Sequence, residues 1–510
     1  MIQKRSFPMK LKTLITIFCC LNLIVSLAQD DVLTKAQITN DIEFLRKTLN
    51  DKSSYVYLNG YDFNTDFDTY LKKIGDSTTL EDFGLFLTQT LGKIGDRHSS
   101  MTTIRGYDLN ESLFLPFIYA PLGDKVVVLN SDQDNELEIL YPQFPFLKKI
   151  DGTDIQDFLQ KTRPEDITAP KQTYFTLAVR DIRDIEKNYR LLNKPLPKGI
   201  KLTLSDGNWQ KDTVVVVPVV DRSERLHPWD EKFESQYLFV KDEDYNKPEI
   251  IEKLFNVEDG IAYIRLPEMA DKEEAPLLFD KLNSFMESIK DDSEALIIDV
   301  RSNGGGTRDL LYEFAKYVVH PDSIHVVNVT RQRGPIPLPE DYKQSLNNRF
   351  LYSIDELTER ERAAVKAFLN TFEPIYELDD TKYSEYYFGL LNGKKLTGQS
   401  FYYDKPVYIL ANEKTFSAAS IFVSVFKGLP NMTIVGATTD GSSGNSDWFD
   451  LPNSKLFGKI STMVSFQKDG KILDGFGTEP DIKIERDMDQ ILWKSDAQLE
   501  KLKDIIKENN

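Results

Sequence analysis

Cysteine is nearly absent from this chain: two of its 510 residues are cysteines, and both, Cys19 and Cys20, lie near the N-terminus. The rest of the sequence therefore offers neither a disulfide framework nor a cysteine-ligated metal site. Histidine is scarce as well, with four residues. After residues 14–27 no apolar run approaches the roughly 18 residues that a membrane-spanning helix needs.

Positive charge is also in short supply, because 63 basic residues face 81 acidic ones and the formal net charge is −18. This balance disfavours nucleic acid and anionic membrane surfaces as partners. A hydrophobic content of 41% with 11% aromatic residues is typical of a globular protein. The length predicts roughly two to four domains.

The first 28 residues have the pattern of an export signal. Basic residues at positions 4, 5, 10 and 12 precede the apolar run 14–27, and Ser26 and Ala28 are small residues of the kind a signal peptidase selects. We predict a signal peptide over 1–28 and an exported, periplasmic or extracellular protein without stable membrane insertion. An uncleaved anchor is the alternative; a lipoprotein is less favoured because bulky Ile17 and Phe18 precede the cysteines. Cleavage would remove four basic residues and no acidic one, taking the charge from −18 to −22.

Hydrophobic periodicity divides the remaining chain into five segments. Residues 29–105 have helical spacing, whereas residues 106–220 are mostly short strand-like runs. The charged stretch 221–245 is a predicted linker. Strands and helices alternate over 246–490, which favours a largely parallel sheet, and a polar, tyrosine-rich insert at 321–400 interrupts them. The last 20 residues, 491–510, are predicted to be a C-terminal helix.

A serine stands at a predicted strand-to-helix turn of the α/β segment. Residues 407–411 form a predicted buried strand and residues 420–426 an apolar helix. Ser417 would lie near the positive end of the helix dipole, where an oxyanion is stabilised. The alternative is that Ser417 only caps the helix, the usual role of a serine in this position.

Among the histidines, His98 is the best candidate for a general base. It follows a predicted helix and shares a polar turn with Asp96 and Ser99, which suits an imidazole that needs an orienting neighbour. An ordinary histidine pKa would make activity rise with pH through roughly 6 to 7.5. The alternative is a surface turn without function. The other histidines stand in predicted loops: His227, His320 and His325.

Three glycines, Gly304, Gly305 and Gly306, follow a predicted buried strand directly. A phosphate-binding loop would need a lysine or a spaced glycine pattern, and neither is present. Their backbone amides could instead donate to an oxyanion. A plain tight turn is the alternative.

Five segments occur in this order: 96–99 (DRHS), 298–306 (IDVRSNGGG), 415–419 (TFSAA), 434–436 (IVG) and 474–481 (DGFGTEPD). Together they resemble the serine peptidases of the tail-specific (C-terminal processing) and tricorn-core family. The resemblance implies a ClpP/crotonase-like α/β catalytic core, an N-terminal helical part that carries His98, and a β-rich PDZ-like module over residues 106–220.

By this resemblance Ser417 matches the nucleophile, and the backbone amides of Ala418 and of Gly304 or Gly305 match the oxyanion hole. The tail-specific branch pairs its serine with a lysine, but Ser442 stands at that position. The resemblance therefore implies the tricorn-type arrangement, in which His98 is the base.

A polar residue and a glutamate orient the histidine in the tricorn-type branch. Asp474 stands at the glutamate position, and Ser99 or Asp96 would have to supply the polar group because Arg97 replaces the serine before the histidine. Ser420 replaces an acidic residue expected three positions after the nucleophile.

The sequence thus predicts an exported serine endopeptidase that acts on peptides or unfolded proteins and needs no metal or other cofactor. The alternative is a catalytically degenerate protein that binds peptides or apolar ligands on the same scaffold.

Overall fold

A six-stranded, mostly parallel sheet organises the α/β part of the chain. The computed structural model describes residues 32–102, 113–131, 136–163, 170–227, 229, 242–396 and 401–509. The predicted signal peptide and most of the predicted linker lie outside these residues. In spatial order the strands of this central sheet are Phe255–Glu258, Ile261–Arg265, Ala295–Asp299, Val407–Ala411, Met432–Gly436 and Ile482–Lys483, the first antiparallel to its neighbour and the others parallel.

Both faces of the central sheet are covered, which explains its continuous apolar strands. Because side chains alternate along a strand, Ile298 and Ile409 face one cluster of buried residues and Ile297 and Leu410 face another. The first cluster includes the helices Pro276–Ile289, Asp309–Val318 and Ala418–Phe426, and the second is closed by the C-terminal helix Ala497–Asn509. The predicted mixed α/β fold is confirmed.

The N-terminal helices share one hydrophobic core with the insert. These helices are Lys35–Lys52, Phe63–Lys73 and Leu80–Gly92, preceded and interrupted by the paired strands Val32–Thr34 and Ser77–Thr79. Buried Ile42 and Phe83 belong to the same cluster as Val329 and Phe388 of the insert. This shared core brings the turn that carries His98 to the α/β part.

The insert supplies most of a four-stranded antiparallel sheet. Its strands, in spatial order, are Leu351–Ser353, Tyr387–Asn392, Ile324–Gln332 and, from outside the insert, Met463–Phe466. The apolar pattern of 456–466 predicts a single strand, which is wrong: Phe457–Ser461 pairs instead with Ser446–Asp450 and Ser100–Thr102 in a separate three-stranded sheet. The helices of the insert are Glu340–Asn347, Glu359–Leu369 and Gly393–Leu396, with the 3-10 turn Ile354–Glu356.

A β-rich module has its own core, as its short apolar runs predict. Its seven-stranded sheet consists of Ile118–Leu122, Lys125–Ser131, Leu137–Ile139, Phe146–Ile150, Thr153–Asp154, Gly199–Ser205 and Asp212–Pro218, and a separate pair joins Leu113–Phe114 to Val220–Asp221. Its helices are Ile155–Thr162, Lys171–Asp181 and Ile185–Leu191, which the strand-like pattern of residues 106–220 does not predict.

The remaining elements are short: Arg222–Glu224, Asp242–Asn246, Pro248–Ile251, Glu252–Leu254 and Met488–Ile491. Over the described ranges, no helix combines the length and apolar character that crossing a membrane requires.

Candidate active site

Ser417 has a backbone conformation that few residues adopt, with φ 53° and ψ −125°, between the strand Val407–Ala411 and the helix Ala418–Phe426. A residue held in such a sparsely populated region costs about 1–3 kcal/mol, and strained strand-to-helix turns of this kind present nucleophiles. Although Ser417 precedes the helix, its side chain makes no capping hydrogen bond. The hydroxyl is therefore not used as a helix cap.

The loop before Ser417 is fastened to the end of the neighbouring strand. Thr415 Oγ1 donates to the carbonyl of Val300 at 2.9 Å, and the Phe416 N–H donates to the carbonyl of Asn303 at 2.9 Å. Asn412 Oδ1 accepts the N–H of Ser302 at 2.9 Å. These bonds place the Ser417 turn against the triglycine turn.

His98 lies within hydrogen-bond reach of Ser417. Its Nε2 is 3.2 Å from Ser417 Oγ, and its ring stacks on Phe416 with a centroid separation of 4.8 Å. This distance is at the long end of the range for a nucleophile and its base, as is common before substrate binds. The structure thus brings together the two residues that the sequence predicts as nucleophile and base, although 319 positions separate them.

Asp96 fixes the turn that carries His98. Its Oδ1 accepts the N–H groups of His98 and Ser99 at 3.0 and 2.7 Å and the hydroxyl of Ser461 at 2.5 Å. The strand that follows, Ser100–Thr102, pairs with the strand that ends at Ser461. A serine 365 positions away therefore helps to hold the histidine turn in place.

The electrostatic surroundings keep the His98 imidazole neutral. Burial, and then the positive charges of Lys459 and Arg97, lower the pKa of His98 to about 3. A neutral ring can accept the Ser417 proton across the physiological pH range. A pKa this low would move the acid limb of activity in the free enzyme to a lower pH than the predicted 6 to 7.5, and that rise stays a prediction.

Asp474 is buried beside the site but does not hydrogen-bond to His98. Its Oδ2 accepts the hydroxyls of Tyr55 at 2.8 Å and Ser443 at 3.1 Å. Burial, and then the charge of Asp96, raise the pKa of Asp474 to about 8. At neutral pH the carboxyl group is mostly protonated, so its predicted role as an orienting carboxylate stays a prediction.

Within the described residues, Ser99 does not hydrogen-bond to the His98 ring either. Its Oγ accepts the N–H of Ser461 at 3.2 Å. Across the described part of the chain, His98 Nδ1 has no hydrogen-bond partner. The residue that orients the ring is thus not identified by a direct contact.

Two of the differences from the family pattern, at Ser442 and Arg97, involve residues that contact the same carboxylate. Ser442, which stands where the tail-specific branch has its lysine, donates to Asp440 Oδ1 at 2.7 Å, and Arg97 Nε donates to Asp440 Oδ2 at 3.1 Å. Ser420 Oγ, the third departure, accepts the N–H of Gly441 at 3.2 Å. These bonds connect the loop that contains Asp440 to the turn of His98 and to the helix of Ser417, and a serine occupies the position of the lysine base.

The predicted oxyanion donors differ in their availability. Ala418 is the first residue of its helix, where the N–H has no partner within the helix. The Gly305 N–H already donates to Asn303 Oδ1 at 2.8 Å, and exposed Gly304 does not line the cleft described below. Gly306 does line it and is a further donor candidate.

A cleft of about 480 Å³ contains both Ser417 and His98. The insert supplies part of its wall through Asn348 and Arg349, and Trp448, 51% exposed, also lines it. The cleft is half-open, which suits an extended chain better than an enclosed small ligand.

Sequence reasoning missed several residues that surround the predicted pair. They are Tyr55, Asp440, Ser443, Lys459 and Ser461. None belongs to a local pattern that distinguishes it from other polar residues, and their positions follow only from the pairing of distant strands.

Comparisons with known proteins agree with this geometry. Residues 260–484 match the model of peptidase family S41. The crystal structure of mature CPAF is similar with 16% identity and a TM-score of 0.61, over 92% of this chain and 97% of that chain. The structure of mature CPAF complexed with lactacystin gives 17% identity and a TM-score of 0.59, over 93% and 98%.

At these identities the structural likeness shows the fold alone, and the family match carries the assignment. It spans the triglycine, Ser417 and Asp474 segments, whereas His98 lies outside it. The resemblance to the tail-specific and tricorn-core peptidases is confirmed: residues 260–484 match peptidase family S41, and the chain is a serine-type peptidase.

Proposed function

We propose that the chain is an exported serine endopeptidase in which Ser417 is the nucleophile and His98 is the general base. The observation that carries the proposal is the 3.2 Å separation of His98 Nε2 and Ser417 Oγ within one cleft. Burial lowers the pKa of His98, so the ring is unprotonated before the reaction, as a general base must be. The non-catalytic alternative is not favoured, since it would not require this alignment.

In the reaction, His98 Nε2 takes the proton of Ser417 Oγ as the oxygen attacks the carbonyl carbon of the peptide bond. The backbone amides of Ala418 and of the triglycine turn, where Gly306 lines the cleft, stabilise the oxyanion. The imidazolium then protonates the leaving amine, and the acyl-enzyme forms. Water, activated by the same ring, hydrolyses the ester and restores Ser417.

Asp474 is the orienting residue we propose for His98, with Ser99 as the second candidate. Within the described residues, His98 Nδ1 and Asp474 Oδ1 are both buried and both lack a partner. Buried polar atoms are rarely left unsatisfied. A hydrogen bond between them, direct or through one water molecule, would satisfy both and fix the ring tautomer.

The β-rich module supports a peptide substrate. We interpret it as PDZ-like because a small antiparallel sheet packs with short helices, Ile155–Thr162, Lys171–Asp181 and Ile185–Leu191. Thr176 Oγ1 donates to Glu413 Oε1 at 2.6 Å, four positions before Ser417. A peptide held by this module would therefore be close to the nucleophile turn.

Export rests on the pattern of residues 1–28, with cleavage after Ala28. N-terminal sequencing of protein recovered from the periplasm or medium should begin at Gln29. Recovery of the intact N-terminus in the cytoplasm would contradict export.

A serine-directed fluorophosphonate probe, with casein as an unfolded substrate, tests the catalytic proposal. Wild-type protein should be labelled at Ser417 and should cleave casein, whereas Ser417→Ala should do neither. Ser424→Ala, in the same helix but outside the cleft, is the matched control and should retain both. A wild-type protein that binds casein without labelling or cleavage would support the binding-protein alternative instead.

A further inference from the structure

Two arginines line the same cleft as Ser417 and His98. Arg308 follows the triglycine turn and is 8% exposed, and Arg349 comes from the insert. An Arg308 guanidinium nitrogen donates to the backbone carbonyl of Arg349 at 3.1 Å. Two positive side chains of independent origin thus meet in one wall of the site.

Among the described residues, the hydrogen-bond acceptors of these two guanidinium groups are all neutral. Arg349 donates to the carbonyl and hydroxyl of Ser345, both at 2.8 Å, and to Asn445 Oδ1 at 2.7 Å. Within the described ranges neither arginine forms an ion pair with a carboxylate. Burial, and then the neighbouring charge of Arg349, lower the pKa of Arg308 to about 10, and burial lowers the pKa of Arg349.

The cleft also contains two carboxylates, and both have other partners. Asp309 Oδ2 accepts the N–H of Lys272 at 3.0 Å. Asp271 Oδ1 accepts the N–H of Glu273 at 2.7 Å. Neither acid forms an ion pair with Arg308 or Arg349 within the described residues, and neither contributes to the lowered pKa of these arginines.

We propose that Arg308 and Arg349 form a subsite for a carboxylate of the substrate next to the scissile bond. A desolvated cation without a counterion is costly, and a substrate carboxylate would supply the missing charge. The guanidinium group is suited to two parallel hydrogen bonds with a carboxylate. Because the chain as a whole is acidic, with a net charge of −18, only a local site of this kind would attract an acidic segment.

Position along the chain limits where that carboxylate lies. Arg308 is two residues after Gly306, a span of about 7 Å at most. Since Gly306 is a proposed oxyanion donor and the arginine side chain adds its own length, the recognised group lies within a few residues of the reacting carbonyl. It is either an Asp or Glu side chain or the C-terminal carboxylate of the substrate. The inference rests on the proposed peptidase function.

Two sets of internally quenched peptides distinguish these sources. The first set moves a single Asp, with Asn as its match, through the positions around the cleavage site. The second keeps Asn and compares a free C-terminus with a C-terminal amide. We expect kcat/KM to be about tenfold or more higher for the acid member of one set, the range of a hydrogen bond to a charged group. Preference in the first set identifies a side-chain carboxylate, and preference in the second identifies the terminal one.

Substitutions at the two arginines test whether these side chains cause the preference for the acid peptide. Arg308→Gln and Arg349→Gln should reduce the acid-to-neutral ratio to near one, and Arg308→Lys, which keeps the charge, should retain part of it. Arg362→Gln, at an exposed arginine outside the cleft, should leave the ratio unchanged. Thermal unfolding identifies any variant that fails to fold. In that case the acid-to-neutral ratio of the other arginine variant decides.

A direct binding measurement keeps this inference separate from the proposed function. Fluorescence anisotropy with Ser417→Ala should show tighter binding of the acid peptide than of its neutral match. If wild type cleaves peptides but shows no acid preference in either set, the carboxylate subsite is wrong and the peptidase stands. If wild type cleaves nothing, the peptidase proposal fails; equal binding of both peptides would then overturn the subsite as well, and tighter binding of the acid would uphold it.

Discussion

Replacing Gly305 with alanine should damage the active site, whereas the same change at Gly304 should not. Gly305 has φ 97°, and an added Cβ would lie 2.6 Å from Ser417 Cβ and 3.0 Å from the Ala418 nitrogen. An added Cβ at Gly304 meets no atom within 4 Å. The two glycines are adjacent, so the pair of variants separates the steric and positive-φ costs at Gly305 from the loss of a glycine in this turn.

The magnitude follows from two independent costs. An L-residue in a sparsely populated positive-φ region costs about 1–3 kcal/mol. Inserting a methyl group into a packed site costs about 1–3 kcal/mol more. If the turn moves to relieve the clash, Ser417 is displaced, and a shift of about 1 Å reduces the rate on the order of 10²-fold.

Casein hydrolysis, fluorophosphonate labelling and thermal unfolding, measured side by side, separate these outcomes. We expect Gly304→Ala to resemble wild type in all three, and Gly305→Ala to lose most of its turnover and labelling even where it remains folded. A folded Gly305→Ala protein with wild-type turnover would refute the reasoning, because it would mean that the glycine turn does not press against Ser417.

Further predictions concern the nucleophile, the base and the core. Ser417→Ala should abolish turnover and change the free energy of unfolding by less than about 1 kcal/mol, because no helix cap is lost; chemical denaturation checks this. His98→Ala should reduce kcat by several orders of magnitude, and near-normal steady-state turnover would exclude it as the base. Lys459→Gln should raise the pKa of His98 and move the acid limb of kcat/KM to higher pH, since a neighbouring positive charge is removed. Arg301→Ala should cost about 3 kcal/mol in urea denaturation, because buried Arg301 pairs with Asp299 and Asp496.

Local patterns predicted the parts of the site that depend on neighbours in sequence. An apolar strand, a serine and an apolar helix define the Ser417 turn, and the alternation of strands and helices predicted the parallel sheet. The helix Leu80–Gly92 followed by a polar turn located His98. In each case a short segment contains the whole signal, because hydrophobic periodicity and turn chemistry act over a few residues.

The contacts that complete the site join distant segments and carry no such signal. Tyr55 reaches Asp474 across 419 positions, and Ser461 reaches Asp96 across 365. The strand predicted over 456–466 failed for the same reason: apolar alternation does not say which strand will be its partner, and the two halves pair in different sheets. Burial is equally invisible in the sequence, which is why the pKa of His98 was placed at its ordinary value.

The state of Asp474 can be read from the pH dependence of stability. Its pKa is raised to about 8 in the folded protein, so between about pH 4 and 8 the folded state holds a proton that the unfolded state gives up. The stability contribution of this group is therefore fully present at low pH and is lost as pH rises toward 8. The lowered pKa of His98 has the opposite sign but acts only below about pH 6.5.

Asp474→Asn resembles the protonated acid at every pH, so its stability relative to wild type should increase between pH 6.5 and about 8, by a few kcal/mol at most, and level off above that. Melting temperatures across this range test that expectation, and parallel curves would contradict it. Turnover decides the catalytic role: if an ionised Asp474 orients His98, wild-type kcat should rise through about pH 8 and the variant should lose that limb, with a rate loss of up to about 10⁴. Turnover of the folded variant within about threefold of wild type would remove Asp474 from the mechanism and leave Ser99 or Asp96 to orient the ring.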